Sequence, residues 1–169
     1  SASEREELLS SFSHGAVTEY GDEDTVVSLF ESTASLYGER CALTFGDKSQ
    51  SYRDLNERSN MIGHYLRGTY GIVGDDLIGI MTDRSDLMIA GILGILKSGA
   101  GYVPIDPDYP MDRRLYMLQD SGVKCVLVVG GEGHGLGGEV PEVDLLELLA
   151  NSVPASAANL PALNKPSDI

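Results

Sequence analysis

The chain has 169 residues, 42% of them hydrophobic, enough to bury about two-thirds of its unfolded surface in one globular core. Its 12 Lys and Arg stand against 26 Asp and Glu, a formal net charge of −14, which repels phosphate backbones and anionic lipid and so disfavours nucleic-acid and membrane-surface roles. No apolar run reaches the roughly eighteen residues of a membrane span, and the opening SASEREELLSSFS has no apolar signal core, so a cytoplasmic chain is expected.

In chain order, EREELLSSF reads as a short helical piece followed by an acidic, Gly-containing arm. A start without Met implies either a tag scar or a piece cut from a longer polypeptide. Val27, Phe30, Ala34 and Tyr37 carry the spacing of an amphipathic helix over 25–37, with Asp24 placed as its N-cap. CALTFGDKSQSY, residues 41–52, holds two β-forming runs around Gly46-Asp47 and predicts a hairpin. Ser51 then caps a helix over 53–67 whose Leu55, Ile62 and Leu66 share one face. DLIGIMT, 76–82, suits a strand buried on both sides.

SDLMIAGILGILKSGAG follows, apolar all round from Leu87 to Leu96, so this helix must be covered on most of its circumference. Gly99 and Gly101 end it. GYVPID predicts a strand, PDYP a turn, Met111 to about Asp120 a helix with Leu115 and Leu118 on one side, and KCVLVV another strand. The alternation over 76–129 predicts a mostly parallel α/β sheet between two helical layers, joined by right-handed crossovers. After Leu149, NSVPASAANLPALNKPSDI has no periodicity and reads as an irregular connector.

Gly133, Gly135 and Gly138 match the G-x-G-x-x-G pattern of a dinucleotide-binding turn. The context contradicts that use. The match follows the last strand of the parallel run, its helix begins only after Pro141, and no later strand supplies a ribose-binding acid. Glu132, Glu139, Glu142 and Asp144 crowd the place a phosphate would occupy. A Gly-rich surface loop is therefore expected, and there is no G-K-[ST] of a Walker loop. Cys41 and Cys125 both fall in apolar strand-like runs and read as small buried hydrophobes. His14, His64 and His134 lie far apart, outside any metal-ligand spacing, and read as surface or packing residues.

GILGILKSGAGYVPIDPDYPMDRRLYMLQDSGVKCVLV, 91–128, resembles the second core motif of the adenylation domains of nonribosomal peptide synthetases, L-K-x-G-x-x-Y-V-P-[IL]-D-P-x-Y-P-x-x-R. QSYRDLNERSNMIGHYLR, 50–67, is similar to the first core motif, with Gln50-Ser51 in place of Leu-Thr and Asp54 in place of Glu. VVSLFESTASLYGERCALTFGD and DLIGIMTDRSDLMIAGILGILKSG resemble the segments before and between these motifs. SEREELLSSFS is similar to the linker that leads from a condensation domain. The resemblance covers nearly the whole chain, interrupted by the Gly-rich loop and the tail.

The resemblance implies an ATP- and Mg²⁺-dependent enzyme that turns an amino-acid carboxylate into an aminoacyl adenylate, releases pyrophosphate, and loads a carrier-protein phosphopantetheine. In that family a Ser/Thr/Gly-rich loop with Lys, a ribose-binding acid and a C-terminal lysine carry the chemistry, and the phosphate loop follows a segment like NKPSDI. Lys48, Lys97, Lys124 and Lys165, the four lysines here, sit in no such loop. No catalytic, cofactor-binding or metal-binding residue of the family maps onto this sequence. What maps is scaffold: Tyr52, Leu55, Asn56, Lys97, Gly99, Tyr102, Pro104, Asp106, Pro107, Tyr109, Pro110 and Arg113. The expected division is a linker arm over 1–24, an α/β N-terminal subdomain over 25–150, and a connector over 151–169.

Asp106 has two readings. At the C-terminal end of a parallel strand it could serve a polar active site; followed by Pro107 it more simply accepts turn amides or pairs with Arg113 or Arg114. Tyr102, Tyr109 and Tyr116 read as core and turn packing. The implied molecule is a scaffold fragment, inactive alone, that packs against the rest of its domain and neighbouring condensation and carrier domains. A stand-alone interaction module or split-enzyme partner, and a piece of a related acyl- or aryl-activating ligase, are the alternatives. Helices and strands made for absent neighbours would leave an exposed apolar patch and favour self-association.

Overall fold

The computed structural model describes residues 2–10, 21, 24–130, 136, 138–151, 157–166 and 168. Helix α1 (Ala2–Ser10) is exposed along its described side chains. Helix α2 (Val26–Tyr37) precedes the hairpin of β1 (Cys41–Phe45) and β2 (Lys48–Ser51), which turns on Gly46 at φ +58°. Helix α3 (Tyr52–Tyr70) leads to β3 (Leu77–Met81), α4 (Asp86–Ser98), β4 (Gly101–Pro104), α5 (Met111–Ser121) and β5 (Val126–Val128). The chain then forms β6 (Glu142–Asp144) and α6 (Leu145–Asn151).

The α/β reading from sequence holds. The larger sheet has the order β4-β3-β5-β6 with all pairs parallel, and the hairpin is a separate antiparallel pair. Successive strand residues face opposite sides. Ile78, Ile80 and Leu127 join the core under α3, α4 and α6, whereas Met81, Val126 and Val128 join Leu118 of α5 on the other side. Two helical layers therefore sandwich the sheet, as a parallel sheet requires.

Local chemistry sets the helix limits, with one correction. Thr25, not Asp24, caps α2: its hydroxyl accepts the Ser28 amide at 3.1 Å while the Ser28 hydroxyl accepts the Thr25 amide at 2.9 Å. Asp24 instead accepts the Gly21 amide at 2.8 Å, one residue too early to reach the helix. Ser51 caps α3 as expected, in a capping box with Asp54. The Ser51 hydroxyl and amide hold the Asp54 carboxyl below the usual carboxylate value. Helix α3 runs past the expected Arg67 to Tyr70, because left-handed Gly71 (φ +56°) is what stops it.

Gly99 ends α4 at φ +99°, but Gly101 opens β4 rather than ending the helix. The apolar all-round helix is covered as predicted: most of Leu87 to Leu96 is buried or half-buried, with Ile89 at 37% the open position.

Three further expectations are overturned. Pro141 is followed by a strand, so β5 is not the last member of the parallel run. The segment 142–144 is too short to show a strand period, and the apolar pattern of α6 masked it. Cys41 is exposed because the two-stranded ribbon is covered on one face only, where Ala42 and Gln50 pack inward, while Cys125 is buried as expected. Tyr102 and Tyr116, at 42% and 64% exposure, do not pack in the core. Tyr102 lies on the edge strand and Tyr116 on the outer face of α5.

Helices α3 and α4 approach each other at Gly63 and Gly94. A Cβ on Gly94 would lie 2.5 Å from Ile62 Cγ2 and 2.6 Å from its Cβ, and one on Gly63 would lie 3.2 Å from the Gly94 carbonyl. Gly68, on the same helix as Gly63, faces open space. Gly94→Ala is therefore expected to destabilise the fold by about 1–3 kcal/mol through overpacking, despite its better helix propensity. Gly68→Ala should stabilise it by about 0.5–1 kcal/mol. Urea unfolding of the two variants separates steric from propensity effects.

Candidate functional site

The chain's best-built polar site is centred on Lys97, in the last turn of α4. Its side chain is fully buried. The Nζ donates to Asn56 Oδ1 and Asn60 Oδ1 of α3, each at 2.5 Å, lies 3.0 Å from Glu31 Oε1 of α2, and sits 5.5 Å from the centre of the Phe30 ring. Burial pushes the ammonium below the ordinary lysine range, and the hydrogen bond and charge of Glu31 work against that shift. A buried cation is tolerated because two amide oxygens accept from it and the Glu31 carboxylate balances its charge.

The same face of α3 grips the segment that follows α6. Asn60 Nδ2 donates to the Ala157 carbonyl at 2.7 Å and to Asn159 Oδ1 at 2.9 Å, and Asn56 Nδ2 donates to the same Asn159 oxygen at 2.9 Å. His64 Nε2 lies 2.9 Å from the Ala158 carbonyl. Arg67 spans both sides, donating to the Pro161 carbonyl at 2.9 Å and to the Lys97 and Ser98 carbonyls at 2.7 and 3.1 Å. Leu160 is buried. The described part of this segment, 157–166, is irregular, as its composition predicts, but it is docked.

A second feature lies outside the carboxyl ends of β3 and β4, where open α/β sheets commonly place ligands. A cleft of about 500 Å³ opens between the Thr82–Arg84 loop and the turn Pro104–Tyr109. Three carboxylates, Asp83, Asp106 and Asp108, line it against one cation, Arg84, a balance unsuited to phosphate. Asp106 Oδ1 accepts the Asp108 amide at 2.9 Å, the turn role of its two readings. Arg113 is engaged elsewhere, with its guanidinium 4.0 Å from the centre of the Tyr109 ring.

The scaffold residues singled out from sequence divide between these places. Asn56 and Lys97 meet, and with the Lys97–Asn60 bond and the Arg67 bonds to the Lys97 and Ser98 carbonyls they join the two core motifs. Leu55 is in the main core, and Tyr52 packs its ring 6.1 Å from that of Phe30. Gly99 stops α4 against Leu163 of the connector. Pro104 closes the edge strand, where its missing N–H breaks no ladder bond. Pro107 enters the turn, and Pro110 stands at the N-cap of α5 without a side-chain cap bond. Tyr102 joins neither site.

Glu31, Asn60, Arg67 and Asn159 were not singled out. Asn56, Asn60, His64 and Arg67 recur every three or four residues, so the polar stripe was present in the sequence. Its partner was an aperiodic segment about a hundred positions away.

The glycine match is partly resolved. Gly133, Gly135, His134 and His14 lie outside the described residues. Gly138 has φ +77° and leads into β6, not directly into a helix. Glu139 accepts from Gln119, and Asp144 Oδ1 accepts the Leu146 amide at 2.7 Å and the Glu147 amide at 3.3 Å, capping α6. Lys124 pairs with Asp76 at 2.7 Å. Burial pushes the Cys125 thiol up to about 12, so it is inert as a nucleophile. Among the described residues no cluster of His, Cys, Asp and Glu could hold a metal ion, and no helix is long and apolar enough to cross a membrane.

The family model for AMP-binding enzymes matches residues 30–166, and the chain belongs to that family. Tyrocidine synthase 3 of Brevibacillus parabrevis is 39% identical over 173 residues, covering 98% of this chain and 3% of the synthase. Bacitracin synthase 2 of Bacillus licheniformis is 39% identical over 169 residues, covering all of this chain and 6% of the synthase. The chain thus spans a small fraction of the curated relatives it matches. The N-terminal subdomain of Klebsiella oxytoca NpsA superposes with a TM-score of 0.76 at 21% identity, covering 88% of this chain and 38% of that one. It shares this fold.

Lys97→Met keeps the stem but leaves Asn56 and Asn60 without their donor and Glu31 without its counter-charge. It is expected to cost about 3 kcal/mol or more, because an unpaired buried carboxylate remains. The double variant Lys97→Met with Glu31→Leu should recover part of that loss, and chemical denaturation of both reads the difference.

Proposed function

We propose that this chain is the N-terminal scaffold of an adenylation domain of a nonribosomal peptide synthetase, whose parent reaction joins an amino acid and ATP into an aminoacyl adenylate and pyrophosphate. The observation that carries the reading is the joining of the two core motifs at Asn56 and Lys97, with the connector docked on the same helix face. The twelve motif residues from Tyr52 to Arg113 act as framework in it. They set the sheet, the α3–α4 contact and the course of the connector, while groups that clamp ATP and Mg²⁺ come from elsewhere in the parent. The similarity to peptide synthetases supports this assignment.

In this reading residues 1–24 are a linker arm from a condensation domain, 25–150 the α/β scaffold, and 151–169 the connector to a phosphate-binding loop. The partners are the rest of the adenylation domain, the condensation domain and a phosphopantetheine-bearing carrier, all in the cytoplasm where ATP is available. The isolated chain is inactive. Its four lysines support that: Lys97 is buried, Lys124 is paired, Lys48 lies in the hairpin next to its turn, and Lys165 lies in the tail outside any Ser/Thr/Gly-rich loop.

ATP–pyrophosphate exchange tests the assignment. The parent polypeptide is expected to exchange label in the presence of its amino acid, and the 169-residue chain to stay at the buffer blank. Exchange by the chain alone would show that it carries its own phosphate grip. A parent silent with every amino acid offered would remove the activity itself.

Self-association of the isolated chain belongs to the same reading. Val26, Leu29, Leu36 and Tyr37 leave an apolar stripe on the outer face of α2, exposed by 40–74%. Sedimentation should show a concentration-dependent dimer that Leu36→Glu abolishes. A monomer at every concentration would refute it.

A further inference from the structure

A cavity of about 650 Å³ lies on the opposite flank of α3 from the connector, where the hairpin, the first turns of α3, the N-terminus of α4 and α6 meet. Its floor is apolar, made by Met61, Leu87, Leu146 and Leu149. Its rim is acidic. Arg58 is the one cation on the wall, and it is committed to Asp86, with Nη1 3.4 Å from Oδ2. Asp54 is held by the Ser51 hydroxyl and amide, whereas Glu57, half-buried, makes no side-chain hydrogen bond or ion pair among the described residues.

Gln50 adds a second and independent mark. It is 8% exposed, lines the cavity, and spends its Nε2 on Asp86 Oδ2 at 2.5 Å. That bond fixes which end of the amide is the donor. Its Oε1 is then a buried acceptor with no hydrogen-bond partner among the described residues. Such an orphan costs about 1–3 kcal/mol unless something donates to it, and only an N–H or O–H can.

We propose that this cavity is a docking site for a partner protein segment that inserts a cationic side chain, its aliphatic stem on Leu146, Leu149 and Met61 and its charged N–H groups toward Glu57 and the Gln50 carbonyl. Lysine and arginine side chains suit an apolar floor with a polar rim, because their stems bury while their heads keep polar contacts. An acidic segment meets Asp54 and Glu57 head on. A wholly apolar one leaves Glu57 and the Gln50 amide oxygen without donors. The chain's net charge of −14 steers a basic segment towards it.

The probe is the peptide acetyl-Leu-Arg-Leu-amide, titrated into the 169-residue chain while the Gln50 side-chain amide and the Leu146 and Leu149 methyl groups are followed by NMR. Saturable shifts confined to these groups are expected. The citrulline peptide, which keeps the stem and N–H donors but not the charge, should bind about tenfold more weakly. The Glu57→Gln chain should show a similar loss for the arginine peptide with its unfolding midpoint unchanged, since Glu57 has no partner to lose. Raising salt should weaken the arginine peptide alone. Equal binding of the arginine and citrulline peptides, tighter binding of a glutamate peptide, an unaltered affinity in Glu57→Gln, or the absence of saturable shifts would each overturn the proposal.

Discussion

The ammonium of Lys97 sits where α2, α3 and α4 meet, and much of the helical layer is arranged to supply what it needs. A cation with no access to water has to be met by oxygen acceptors and a counter-charge, and no single helix presents them all. Asn56 and Asn60 come from one neighbour and Glu31 from another. Once those asparagine carbonyls are committed to Lys97, their amide groups face outward as donors, and the irregular segment after α6 is where they find acceptors. The burial of one charge in this way determines where an aperiodic stretch of chain lies. Removing a member leaves buried partners unpaired, so the cost falls on the whole junction rather than on one contact.

The approach of α3 and α4 is what brings these groups within reach. Gly63 and Gly94 let the two backbones close to a separation that no side chain would permit, and Lys97 lies one turn beyond Gly94 on the same helix. The sheet beneath is buried on both sides, which requires α5 on the far face and explains why β3 and β5 divide their side chains between two cores. Hairpin β1-β2 is covered on one face only. Its first strand is correspondingly open, and Cys41 is exposed despite its apolar neighbours.

Family membership and chemistry occupy different parts of such a molecule. The motif residues here sit in turns, at helix ends, at the α3–α4 contact and around a buried cation. The cleft at the strand ends is acidic and its Asp106 is spent on a turn.

The α/β alternation, the capping of α3 by Ser51, the stop of α4 at Gly99 and the cover required by its apolar circumference were all legible in the sequence, because each depends on residues within one or two turns of each other. Thr25 replaced Asp24 as a cap through a shift of one residue that periodicity alone cannot resolve. Strand β6 was hidden because three residues are too few to show a period and its hydrogen bonds come from β5. The partnership of Lys97 with Glu31 and Asn60, the docking of the connector and the orphan oxygen of Gln50 were decided only by tertiary structure. They join groups separated by tens of residues or more, and a buried polar group records in its sequence neighbourhood that it needs a partner but not where in space that partner will stand.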